Sequence, residues 1–140
     1  MLLALGCAAE PAERPLPRAC TAGKETVRAA LERAPRPVSL DGVRLSACLD
    51  PKSDAGELQT VGTAFVGAAA DLAATAARRP ESPAAVQLGY LVGATERGAG
   101  EPNLRGIHTE LVRRVEQETA LVDPHSRALR AGLEAGRRTG

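Results

Sequence analysis

Cys7, Cys20 and Cys48 are the thiols of this chain, His108 and His125 its imidazoles, and Tyr90 its phenol. Chemistry that needs a thiol, an imidazole or a phenol must use these few groups. With two histidines a His-rich metal site is excluded. No His-Glu-x-x-His, Glu-x-x-His or paired Cys-x-x-Cys spacing is present, so no metal ligand and no cofactor is expected. A Walker loop and a Gly-x-Ser-x-Gly elbow are missing as well. Gly98-Ala99-Gly100 begins like a dinucleotide fingerprint but has Asn103 where the last glycine should stand. No catalytic residue is named on these grounds.

A weaker constellation remains. Gln87, Tyr90 and Arg97 recur at helical spacing and form a polar line along an otherwise apolar segment. His108 stands beside Leu111 and Val112 at the margin of the next apolar face. Together the four are the candidate ligand-binding residues. The competing structural reading makes the line the wetter edge of a buried helix and His108 a boundary residue bonded to a carbonyl. A proton-transfer role for His108 would require a cleft around it.

The cysteines carry more information. The start Met-Leu-Leu-Ala-Leu-Gly-Cys resembles the end of a bacterial lipoprotein signal peptide, an apolar run leading through small residues to a cysteine that is lipidated. Cys7 is the lipidation site that this resemblance implies, and a membrane lipid anchor the partner. Six residues are too few for a charged segment and a full apolar core, so the resemblance places the true start upstream. Pro11, Pro15 and Pro17 then suit an extended tether. With Cys7 set aside, Cys20 and Cys48 form an even pair, expected as a disulfide in an oxidising compartment; two buried thiols are the alternative. The bridge would span 28 residues and stabilise the fold by about 3–4 kcal/mol by chain-entropy arithmetic.

The chain is 44% hydrophobic and 25% charged, as a globular domain is, yet Phe65 and Tyr90 are its only aromatic residues. Ala, Leu and Val must fill the core, and small side chains bury little area each. Net charge is +1, too little to gather nucleic acid by its field. The arginines at 113, 114, 127, 130, 137 and 138 are tempered by Glu110, Glu116, Glu118 and Glu134 and read as a solvated face.

The elements that would position these groups follow from local signals. Thr21 suits the cap of a helix running to Ala34, stopped by Pro35 and Pro37. Alternation around Asp41-Gly42 marks a hairpin or tight turn near residues 38–49. Asp54 with Glu57 opens a long helix to Arg79, about 37 Å at 1.5 Å per residue. Ser82-Pro83 opens a third, ending near Gly98 and apolar nearly all round from Val86 to Ala94, with Gly89 and Gly93 on one face for a close helix–helix contact. A fourth is expected from Leu104 to Leu121 with Ile107, Leu111 and Val115 inward. A fifth, begun by Asp123-Pro124, carries Leu129 and Leu133.

The expected fold is therefore mainly α, a four- to five-helix bundle with one short hairpin. Its parts are a signal-like segment 1–7, a tether 8–19, one helical domain 20–136 and a frayed tail 137–140. Three functions follow in order: an extracytoplasmic, non-enzymatic helical domain, lipid-tethered to the cell envelope, with a structural or protein-binding role toward another envelope protein; a small ligand-binding or hydrolytic domain around Tyr90, Arg97 and His108; and a cytoplasmic, DNA-associated helical protein.

Overall fold

A computed structural model describes residues 12–100 and 106–140. Among them five helices run in order: α1 (Lys24–Leu31), α2 (Ala55–Arg78), α3 (Pro83–Gly98), α4 (Ile107–Gln117) and α5 (Arg127–Thr139). A two-stranded hairpin, β1 (Ser39–Leu40) and β2 (Val43–Arg44), and 3-10 turns at Arg18–Thr21, Leu45–Leu49 and Glu118–Leu121 complete the fold. The chain is mainly α with one small hairpin. Cys7 lies outside the described residues.

Local chemistry explains most boundaries. Asp41 and Gly42 both take positive φ, 47° and 79°, as a two-residue hairpin of this hand requires, and Ser39 pairs with Arg44 and Leu40 with Val43. Asp54 caps α2 by accepting from the Glu57 amide at 3.0 Å. The reciprocal half of that capping box is not made, because the Glu57 carboxylate accepts from the Leu16 amide instead, at 3.1 and 3.3 Å. The last part of the expected tether is thereby docked: Leu16 is buried, and the Arg14 amide donates to Lys52.

Cys20 and Cys48 are bonded across a Cα–Cα distance of 5.4 Å, and both are fully buried. The bridge ties the 3-10 turn at Arg18–Thr21 to the one at Leu45–Leu49. The first helix is shorter than expected. Thr21 caps nothing; its hydroxyl donates back to Arg18, and Gly23, at φ 102°, turns the chain so that the helix begins at Lys24.

Helix α2 is the core helix, with α1 on one side, α3 on another, and α4 with its following turn on a third. Its 24 residues are long and apolar enough to cross a membrane by length and composition, but its inward face, Val61, Phe65, Ala68, Ala69 and Ala76, is fully enclosed by protein. Residues Leu88 to Thr95 of α3 are all buried, as an all-round apolar segment requires.

Helix α5 lies against α3 over its whole length, and glycines make this possible. A methyl built on Gly89 or Gly93 would overlap the Leu129 or Leu133 carbonyl oxygen, and one on Gly132 or Gly136 would overlap the Val86 or Tyr90 oxygen. The two backbones therefore interlock, Gly89 and Gly93 facing Gly132 and Gly136, which are likewise four residues apart.

This seam overturns the expected fraying of 137–140. The helix continues to Thr139, and Gly140 is buried, its oxygen accepting from the Ser46 hydroxyl at 2.7 Å. At the other end Ser126, not Asp123-Pro124, caps α5: its hydroxyl accepts from the Leu129 amide at 3.0 Å and donates to Pro80. Glu81 takes the Arg127 and Ala128 amides at 2.9 and 3.1 Å, a carboxylate where the helix dipole favours one. With Gly132, Ala135 and Gly136 on the seam, Leu129 and Leu133 are turned to its edge and only partly buried.

The α4 expectation is also corrected. Gly106 (φ 70°) precedes a helix that starts at Ile107 and tightens into a 3-10 turn at Glu118. Ile107 is 38% exposed, while His108, Leu111 and Val115 face inward. Leu111 and Val115 thus face inward as expected, and only Ile107, in the first turn, gives its place to His108.

Candidate functional site

The four residues singled out by spacing are placed in four different surroundings. Tyr90 is fully buried. Its phenol oxygen accepts from the Val38 amide at 3.0 Å and lies 2.9 Å from the Thr139 hydroxyl. Thr139 already donates to Ala135 at 3.0 Å, so the phenol must be the donor to Thr139. The resulting relay, Val38 to Tyr90 to Thr139 to Ala135, joins the hairpin entry to α3 and α5, with each hydroxyl donating once and accepting once.

Arg97 is exposed, and one of its guanidinium nitrogens donates to the Arg137 and Arg138 carbonyls at 3.0 and 2.9 Å. A cation at the last carbonyls of a helix satisfies acceptors that lack a partner and opposes the dipole. His108, buried in α4, meets the Leu49 carbonyl through Nε2 at 3.0 Å. A carbonyl only accepts, so Nε2 carries the proton in this bond. Gln87 lines a shallow polar hollow against α1 with Glu25, Arg28 and Glu32. Tyr90, Arg97 and His108 are thus each engaged in hydrogen bonds to distant segments of the fold, Tyr90 to the Val38 amide and the Thr139 hydroxyl, Arg97 and His108 to backbone carbonyls. His125 is a surface residue whose amide donates to Asp123 at 2.8 Å.

Comparison with protein-family models, curated proteins and solved structures finds no match. Function must therefore be argued from the molecule's own geometry.

A second arrangement, absent from the spacing argument, carries more chemistry. Where α3, α4 and α5 meet, a groove of about 260 Å³ is lined mainly by apolar surface from Gly89, Val92, Leu129 and Leu133, with Thr119 beside them and Glu96 and Glu116 at its polar end. Arg137 engages Glu96 through two nitrogens, the second at 3.2 Å. Glu116 projects from α4 toward the same place. Partial burial pushes its carboxyl above the usual carboxylate range, and the Glu96 charge and a hydrogen bond shared with Glu96 push further, opposed by Arg137.

Glu134 also acts on Arg137, so three carboxylates gather about one guanidinium. Arg113, about one turn before Glu116 on α4, is held by Glu110 at 2.7 and 3.0 Å. Among the described residues Glu116 makes no ion pair. Spacing along the chain does not reveal this cluster, because Glu96, Glu116 and Arg137 belong to three helices. The one available signal was the Gly132, Gly136, Gly140 series, which marks α5 as pressed onto α3. No group of three or more His, Cys, Asp or Glu side chains placed to hold a metal ion occurs among the described residues.

Proposed function

We propose that this protein is an extracytoplasmic helical module, tethered to the cell envelope by lipid on Cys7, with a non-catalytic role in binding another envelope protein. The observation that carries the reading is the Cys20–Cys48 bond, closed at 5.4 Å between Cα atoms and sealed from solvent. Structural disulfides persist where thiols are oxidised and are rare in the cytosol. A core with two aromatic residues has corresponding need of a covalent fastening. The binding role is supported by the groove between α3, α4 and α5, an apolar concavity with a charged end, and by the structural use already made of Tyr90, Arg97 and His108.

Compartment and anchor are tested separately. Intact cells producing the protein are quenched with acid and alkylated under denaturing conditions, with and without reduction. Cys20 and Cys48 should be labelled only after reduction, and labelling without it would refute an oxidising location. Replacing Cys7 with Ser should move the protein from the membrane to the soluble fraction and abolish incorporation of labelled fatty acid. Unchanged partitioning would remove the lipid anchor.

A further inference from the structure

The groove beside Glu116 has a shape and a charge that specify an occupant. Its volume of about 260 Å³ falls below the ~300–1,000 Å³ of sites for drug-sized ligands, and suits a single long side chain. Val92, Leu129 and Leu133 offer an apolar track, and the acidic end lies beyond them. Arg137 engages both Glu96 oxygens, one through Nε and one through Nη2, which leaves the Glu116 carboxyl as the acceptor facing the groove. A second planar guanidinium would have to share the end of the groove with the Arg137 fork already seated on Glu96, cation beside cation. A compact ammonium on a four-carbon stem fits a lone carboxylate at the end of an apolar track.

We propose that the groove receives a lysine side chain presented by a partner protein, with its stem along Val92, Leu129 and Leu133 and its ammonium against the Glu116 carboxylate. The inference rests on the reading of this protein as a binding module and names the chemistry of its partner. The charged groups about Glu116 are Glu96 from α3, Arg137 from α5, with Glu134 acting on Arg137 in turn, and Arg113 on its own helix. An incoming ammonium relieves the repulsion between Glu116 and Glu96. The complex should therefore tighten as pH rises through the Glu116 titration and weaken as salt screens the pair.

The test uses the full chain with its disulfide intact and two capped peptides, Leu-Lys-Leu and the same peptide with norleucine in place of lysine, followed by amide chemical shifts. The lysine peptide should shift the amides of Gly89, Val92, Thr119, Leu129 and Leu133, and should bind about threefold more tightly than the norleucine peptide, as an ion pair at the protein surface predicts. Glu116→Gln, isosteric and at the protein surface, should erase that preference while leaving the thermal midpoint near that of the parent.

Equal binding of the two peptides, an unchanged preference in E116Q, shifts confined to another face, self-association displacing the peptides, or no shift at millimolar peptide would each overturn the proposal. Failure here leaves the location of the protein untouched, since that is read from the oxidation state of Cys20 and Cys48 in cells. A failure there leaves peptide binding measurable on the purified chain.

Discussion

Replacing Gly136 with Ala tests the backbone interlock that fixes the α3–α5 seam. The added methyl would overlap the Tyr90 carbonyl oxygen and meet the Tyr90 carbonyl carbon and Ala94 nitrogen at 2.9 Å. Carbon contacts settle at about 3.5–4.0 Å and the overlap with the oxygen is deeper still, so the helices must part by about 1 Å, and a gap of that size forfeits about half of each contact's attraction. All the obstructing atoms are backbone, and no side chain can rotate away. Overpacking of this kind costs about 1–3 kcal/mol, and a rigid wall places it near the upper end. Alanine's better helix propensity returns about 1 kcal/mol. The net loss is about 2 kcal/mol, or roughly 8 °C in the unfolding midpoint for a chain of this size.

Thermal and urea unfolding followed by far-ultraviolet circular dichroism read this directly, with Gly62→Ala as the control of opposite sign. A methyl on Gly62 meets only Leu111 Cδ1 at 3.5 Å, an ordinary contact. That variant should gain about 0.5–1 kcal/mol from propensity and unfolded-state entropy. If G136A were as stable as the parent or more so, the two helices could not be in backbone contact. The account of the seam would then be wrong.

Three further outcomes follow from the same geometry. Replacing Cys20 and Cys48 together with Ala should lower stability by about 3–4 kcal/mol, the loop-closure value for their separation, while adding reductant to the double variant should change nothing; a double variant as stable as the oxidised parent would refute the bridge as a fastening. Tyr90→Phe removes the acceptor of the Val38 amide, and Val38 is 1% exposed, so the orphaned donor should cost about 1–3 kcal/mol by equilibrium unfolding; a loss no larger than a surface change would remove the relay. Because the folded state raises the Glu116 pKa, it favours the protonated carboxyl there. The contribution is fully present below the ordinary carboxylate pKa and lost as pH rises through the raised one. Glu116→Gln should therefore flatten the stability profile across mildly acid pH and leave the protein at least as stable as the parent at neutral pH, with an unaltered profile as the contrary result.

Local signals in the sequence were sufficient for the hairpin, the Asp54 cap, the Pro83 helix start and the cysteine pairing. Each depends on residues a few positions apart or, for the disulfide, on parity and composition. Positive φ at Asp41 and Gly42 and an amide accepted by Asp54 are dictated by chemistry that travels with those residues wherever the fold places them. The all-round apolar run of α3 likewise announces its burial, since such a face has nowhere else to go.

The candidate site was not legible in this way, for a physical reason. Hydropathic periodicity weighs large apolar side chains, so it aimed Ile107 at the core and marked α5 by Leu129 and Leu133 alone. The seam selects instead for the absence of a side chain, placing Gly132 and Gly136 inward and leaving the leucines to line the groove. The same blindness made residues 137–140 look like a polar tail, although Thr139 and Gly140 are bonded to Tyr90 and Ser46. Sequence alone determined which helices exist, how α2 and α3 begin, and which sulfurs pair. How closely α5 could approach α3, and hence that Glu96, Glu116 and Arg137 from three helices converge at one end of a groove, was decided by packing between segments far apart in the chain, where no local rule acts.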